Sequence, residues 1–234
     1  MTFQTFRNGI QQGVYKLIDA PVRLLVRLGV TPNWITTLGL LGNVLAAVLI
    51  VRAALSVWMA SSFGMPVSYA LLGWAGLCII VFSICDMVDG YMARTHHLES
   101  RFGAFYDSVL DRYQELVVLS AIAFYFMVLG DWGSSLITAL ALIGSIMVSY
   151  VRARAEALGC ECKVGLMQRP ERVVVLVLGL LLAGFLQHVV PFNSLWFLLG
   201  AVALIAVLAN WTAIVRILHV KKQLDVRDAA EKGN

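Results

Sequence analysis

The sequence predicts an all-α integral membrane protein, with six transmembrane helices preceded by an amphipathic helix along the membrane interface. Three observations carry this. The chain of 234 residues is 60% hydrophobic and only 14% charged, whereas soluble domains carry about 25% charged residues. Its apolar residues gather into runs near the roughly 20 residues that a helix needs to cross a bilayer. Its basic residues fall almost entirely between alternate runs, as the positive-inside rule requires.

Residues 1–30 form the N-terminal arm, "MTFQTFRNGIQQGVYKLIDAPVRLLVRLGV". It is polar, amphipathic and basic, with Arg7, Lys16, Arg23 and Arg27 on its polar side. That pattern predicts an interfacial helix over 2–28 that stays in the mature protein, not a cleaved signal peptide. Residues 31–220 then carry spans near 33–52, 67–93, 102–129, 133–158, 170–189 and 193–219. "FGMP", "LGDWG" and "VVPFN" separate them with Gly, Pro and Asp. Residues 221–234, within "KKQLDVRDAAEKGN", read as a solvated cytoplasmic tail. No internal repeat or low-complexity segment is visible, so the chain reads as one domain.

Orientation follows from the cations. The arm, the 94–101 connection, the fourth connection with its flanks and the tail region hold nearly all Lys and Arg. Arg112 sits in the inner half of the third span, and only Arg52 falls at the opposite face. Both termini and the even-numbered connections are therefore expected in the cytoplasm. So are the cytoplasmic ends of the second and third spans, which carry four acids.

Those acids lie in "DMVDGYMARTHHLESRFGAFYDSVLD". Residues three or four apart on a helix share a face, so Asp86 pairs with Asp89, and Asp107 with Asp111. Four carboxylates at that density repel, and burying one unpaired costs several kcal/mol. The acids therefore call for a cation among them. Carboxylate oxygens suit hard divalent ions, and Mg²⁺ is commonly shared between a few carboxylates and substrate phosphates. The alternative is a structural network in which the acids pair with Arg94, Arg101 or Arg112. His96 and His97, in the short connection, read as solvated. Cys160 and Cys162 read as reduced thiols, with a metal pair as the lesser alternative. Gly90 and Gly103 stand where a helix or ligand approaches closely, and Arg94 is placed to reach a phosphate.

Asp86-x-x-Asp89-Gly90-x-x-Ala93-Arg94, eight residues, then Gly103-x-x-x-Asp107-x-x-x-Asp111 resembles the full signature of the CDP-alcohol phosphotransferases, with every position filled. The likeness covers nearly the whole chain, including "TPNWIT" at the first span. It implies two divalent cations, Mg²⁺ or Mn²⁺, held by Asp86, Asp89, Asp107 and Asp111. These grip the pyrophosphate of a CDP-linked lipid and neutralise the leaving CMP. Asp111 is implied as the base that takes the proton of the attacking hydroxyl. Gly90, Arg94, Ser100 and Gly103 match positions on the CDP-lipid side. Asn33 and Thr36 are expected in the same nucleotide pocket, with helix N-terminal capping as their alternative reading. The family also implies a homodimer.

The acceptor must be chosen by the second half. Ser149 and Arg152 share a helix face, whereas Arg154 lies about 200° round from Arg152. Pro170 opens the fifth span and puts Arg172 in its first turn, aimed at an anion; Arg216 lies at the matching end of the sixth. Cations converging from three helices suit a soluble phosphorylated alcohol. Arg169, Lys221 and Lys222 read as anchors for anionic lipid. "SYVRARAE" and "RPER" are similar to segments of bacterial phosphatidylinositol phosphate synthases. That likeness implies acceptor-phosphate contacts from Ser149, Arg152, Arg172 and Arg216. The implied reaction joins CDP-diacylglycerol to inositol 1-phosphate, with phosphatidylinositol phosphate and CMP as products. Glycerol 3-phosphate is the rival acceptor, and a cation transporter or an intramembrane prenyltransferase the rival class. Membrane lipids are expected partners, and nucleic acid is not.

Overall fold

The computed structural model describes residues 19–187, 189 and 193–232, and no strand occurs among them. Helix α1 covers 19–27 of the described chain, followed by α2 (Pro32–Phe63), α3 (Ala70–Thr95), α4 (Arg101–Val128), α5 (Trp132–Ala157), α6 (Arg169–Phe185) and α7 (Leu195–Lys232). The arm is thus seen only in its last part, and Arg7 and Lys16 lie outside the described residues. In that part Val22 is buried with Ile35 and Met92. Asp19 accepts a hydrogen bond from Tyr91 Oη at 3.0 Å. Arg23 and Arg27 stay exposed, as does Leu24.

Two helices run well past their expected ends, for a common reason. Arg52 ends the apolar run of the first span but does not break a helix. The backbone stops only at Gly64, whose φ of 68° closes α2 by donating to the Ala60 carbonyl. Likewise the polar tail contains no Gly or Pro before Gly233, and α7 continues through it to Lys232. At 1.5 Å per residue α7 is about 57 Å long, nearly twice a hydrocarbon core of about 30 Å. Its polar end is tied down: Gln223 donates to Glu161 O, and Arg227 donates to Leu158 O and Gly159 O.

By length and composition α2, α3, α5 and α7 can each cross a membrane. The 17 residues of α6 reach about 26 Å, and α4 carries Asp107, Asp111, Arg112 and Glu115 between its start and its midpoint region. The six long helices pack as a closed ring, in the order α2, α3, α6, α7, α5, α4 and back to α2. Inside the ring, Ala, Val, Leu and Ile form most of one buried cluster. Outside it stand exposed Leu, Val, Ile and Trp, an apolar exterior that suits lipid. Small residues set the closest crossings. A Cβ on Gly184 would lie 2.1 Å from the Gly73 backbone nitrogen, so α6 and α3 meet backbone to backbone.

Candidate active site

Three helix ends build the first half of the site. Thr31 is the N-cap of α2 and Pro32 follows at the first helical position, so neither Asn33 nor Thr36 caps the helix. Thr36 instead points at α3: its Oγ1 lies 2.5 Å from Asp89 Oδ2 and 3.1 Å from Pro32 O. Its single proton serves the shorter, charge-assisted contact. Ser100 caps α4, its Oγ accepting from Gly103 N at 2.9 Å. A Cβ on Gly103 would stand 2.9 Å from Ser100 Oγ and 3.3 Å from Asn33 Oδ1, and one on Gly90 3.3 Å from Arg94 Nη1. Both glycines therefore keep a small polar cavity open. This cavity, of about 170 Å³, is lined by Asn33, Thr36, Asp89, Gly90, Arg94, Ser100, Gly103 and Asp107, among others. All six residues expected on the CDP-lipid side meet there.

A second cavity of about 330 Å³ adjoins Asp111 and is lined by Ser149, Arg152, Arg169, Arg172 and Arg216, with Glu115 and Gln168. The four expected acceptor residues thus converge from α5, α6 and α7. Their guanidinium groups are not equally available. Arg172 is 2% exposed. It donates from Nε and Nη2 to the two oxygens of Glu115, at 2.5 and 2.9 Å, and from Nη1 to Met167 O at 3.0 Å. It does occupy the first turn of α6 and does face an anion, but that anion is a carboxylate of α4. Arg216, equally buried, donates to Val164 O and Val148 O, at 2.8 and 2.6 Å. It thereby fixes the 159–168 connection to α5. Arg152 makes a surface pair with Glu156 at 2.8 Å, an exposed i,i+4 contact of small energetic weight.

Arg169 departs from its expected place among the lipid anchors. It turns inward from the start of α6, and its Nη1 lies 2.8 Å from Asp86 Oδ2 and 2.9 Å from Asp111 Oδ1. Its Nη2 donates to Gln114 Oε1 at 2.8 Å. Gln114 also accepts from Asn43 Nδ2 at 3.3 Å, and its Nε2 faces Asp86 Oδ1 at 3.5 Å. Of the basic residues proposed as partners for the acids, Arg112 comes within 3.8 Å of Asp111. Sequence reasoning missed Gln114, Asn43 and Glu115, and gave Arg169 a different role. A signal existed for two of them, since Gln114 and Glu115 extend the Asp107–Asp111 stripe by three and four residues.

Asp86 also opens onto a third cavity, of about 490 Å³ between α3, α4 and α6. Its floor holds Asp86, Gln114 and Arg169, and its walls are Ile79, Val118, Leu119, Val173 and Leu176. Among the described residues, no three His, Cys, Asp or Glu side chains converge closely enough to hold a metal ion as they stand. The donor set nevertheless fits a hard divalent ion: all oxygen, from facing helices, with a cationic nitrogen already between Asp86 and Asp111. Cys160 and Cys162 are free and buried beside Ala155, Val220 and Leu224, apart from the acids.

Fold and site together define a membrane-embedded helical enzyme, in which carboxylates of two helices lie between a small polar pocket and a basic one. Residues 29–218 match the CDP-alcohol phosphatidyltransferase family. An archaetidylinositol phosphate synthase of Methanothermobacter thermautotrophicus is 40% identical over 139 residues, 59% of this chain and 65% of that one. A phosphatidylinositol phosphate synthase of Cutibacterium acnes is 33% identical over 230 residues, 97% of this chain and 98% of its own. The crystal structure of the Mycobacterium tuberculosis phosphatidylinositol phosphate synthase with CDP-DAG bound superposes with a TM-score of 0.74. It shares 28% identity, covering 88% of this chain and 94% of that one. The same enzyme is known in complex with manganese and citrate. The chain belongs to the CDP-alcohol phosphatidyltransferase family, and the expected class, a metal-dependent membrane transferase, stands with it.

Proposed function

We propose that this protein transfers the phosphatidyl group of CDP-diacylglycerol to inositol 1-phosphate, giving phosphatidylinositol phosphate and CMP. The observation that carries this is the position of Asp111. It contributes to the basic cavity of Ser149, Arg152, Arg172 and Arg216, and through Arg169 it is linked to Asp86. Asn33, Thr36, Gly90, Arg94, Ser100 and Gly103 hold the nucleotide end of the lipid in the polar pocket. The apolar walls beside Asp86 suit an acyl chain. Asp86, Asp89, Asp107 and Asp111 are the residues to hold two divalent cations, Mg²⁺ or Mn²⁺, which supply charge neutralisation on the pyrophosphate and the departing CMP.

In the transfer the acceptor hydroxyl oxygen bonds to the lipid-side phosphorus as the phosphorus–oxygen bond to CMP breaks. CMP leaves with the electron pair, and the hydroxyl proton passes to the Asp111 carboxylate. The basic cavity positions the acceptor through its phosphate. The relatives support the acceptor: their names share inositol phosphate and differ in the lipid. The six long helices span the cell membrane, with the site and both termini on the cytoplasmic side, where the cations cluster. The working unit is a homodimer.

The test is purified protein with CDP-diacylglycerol and Mg²⁺, offered inositol 1-phosphate, inositol, glycerol 3-phosphate and serine, with CMP release as the readout. Turnover is expected with inositol 1-phosphate. Preference for glycerol 3-phosphate would replace the acceptor and keep the chemistry. Metal flux through vesicles with no CMP formed would remove the transferase reading.

A further inference from the structure

The position between Asp86 and Asp111 is spanned by one guanidinium nitrogen, the Nη1 of Arg169. The group is oriented as well as attracted. Gln114 receives its Nη2, and Gln114 is in turn held by Asn43. Gly39 leaves room for this arrangement, since a Cβ there would stand 3.3 Å from both Asp86 Oδ1 and Gln114 Nε2. A divalent ion at about 2.1 Å from the same carboxylate oxygens needs the space that this nitrogen fills. Two such cations side by side also repel.

Arg169 has somewhere else to go. It is the first residue of α6, after the N-cap Gln168, so its side chain swings from a helix end and not from a packed turn. It also lines the cavity of Ser149, Arg152, Arg172 and Arg216. There, Arg172 spends donors of all three nitrogens on Glu115 and Met167 O, and Arg216 is tied by Nε and Nη1 to backbone carbonyls. A phosphate in that cavity therefore meets one guanidinium with both terminal nitrogens unspent, Arg152, whose Nε pairs with Glu156, and a released Arg169 adds a second planar fork.

We propose that Arg169 is an internal counter-cation which the divalent metal displaces from Asp86 and Asp111, and that the displaced guanidinium then joins the acceptor-phosphate site. Metal loading thereby completes the second pocket and sets an order, with metal before phosphorylated alcohol. This rests on the metal assignment above.

The experiment uses the full chain in detergent, without CDP-lipid. Mn²⁺ binding is followed by loss of the free-ion electron paramagnetic resonance signal, and inositol 1-phosphate binding by calorimetry. Arg169→Gln should bind Mn²⁺ about tenfold more tightly than wild type, the change expected when one charge-assisted hydrogen bond no longer has to be broken. Arg154→Gln, which removes the same charge from an exposed position, should leave Mn²⁺ affinity unchanged. Wild type should bind inositol 1-phosphate more tightly with Mn²⁺ present, and Arg169→Gln should lose that metal dependence. Arg169→Lys keeps the charge without the fork and should fall between the two in Mn²⁺ affinity. It carries the comparison if Arg169→Gln does not fold. Unchanged or weaker Mn²⁺ binding in both Arg169 variants overturns the exchange. The metal assignment survives that result if Asp86→Asn and Asp111→Asn abolish binding. Absence of Mn²⁺ binding in every form sinks both.

Discussion

Arg172 and Glu115 form a two-armed ion pair across α6 and α4, at 2.5 and 2.9 Å, with 2% and 13% of their side chains exposed. Removing one partner strands a buried charge. Glu115→Ala should therefore destabilise the protein by about 3–5 kcal/mol, read as a lowered thermal midpoint in detergent. Arg172→Met in the same background should restore part of that loss, because the stranded charge goes with it. If the double variant is less stable than Glu115→Ala alone, the pair is not the cause.

Thr36 and Asp89 make the corresponding contact between α2 and α3, at 2.5 Å, with Asp89 only 5% exposed. The bond orients a carboxylate proposed to hold metal. Thr36→Val keeps the shape and removes the donor, at a cost of about 1.5–3 kcal/mol for a bond to a charged group. Turnover should fall by about tenfold or more, while Thr36→Ser should retain most of it. Equal activity in Val and Ser variants would show that the hydroxyl does not position Asp89.

At the opposite end of the ring, Asp131 caps α5, its Oδ1 accepting from Ser134 N at 3.0 Å and its Oδ2 from Ser134 Oγ at 2.6 Å. These bonds hold its carboxyl below the ordinary carboxylate range. A depressed folded-state value means stability present above the unfolded value and lost as pH falls through the folded one. Asp131→Ala should cost about 1 kcal/mol at neutral pH. The gap in thermal midpoint between wild type and variant should narrow as pH is lowered below the ordinary carboxylate value. A gap that widens in acid would contradict the cap.

The sequence made the acids legible because a charge inside an apolar run has few explanations, and helical spacing fixes which acids share a face. The two pockets were legible at the level of membership: the residues expected on each side do line separate cavities. Pairing was not legible. Whether Arg169 or Arg172 of "RPER" faces the acids depends on the rotation of α6 about its axis. That rotation depends on how α6 packs against α3, where Gly73 and Gly184 cross, and against α7, which no local pattern encodes. Asn43 was hidden for a different reason: one amide among Leu, Val and Ala reads as noise until Gln114 is found opposite it. Helix ends were misplaced at Arg52 and Lys221 because hydropathy marks where lipid ends, whereas backbone breakers mark where helices end.

The two pockets also make separable predictions for the reaction. Asp111 contributes to the basic cavity, and its proposed work is to take a proton, a role worth about 10²–10⁴-fold in rate. Asp111→Asn should therefore lower kcat by at least that range while CDP-diacylglycerol still binds. Arg152 lies in the same cavity but, among the described residues, pairs only with exposed Glu156, so its loss should leave the fold intact. Arg152→Ala should raise the apparent KM for inositol 1-phosphate about tenfold, the worth of one phosphate contact, with little change in KM for the CDP-lipid. Steady-state kinetics with each substrate varied in turn check both variants. Arg172→Ala is less informative: it also breaks the Glu115 pair, and its stability must be measured beside its kinetics. If Arg152→Ala shifts both KM values equally, the basic cavity does not select the acceptor. If Asp111→Asn turns over at the wild-type rate, another group takes the proton.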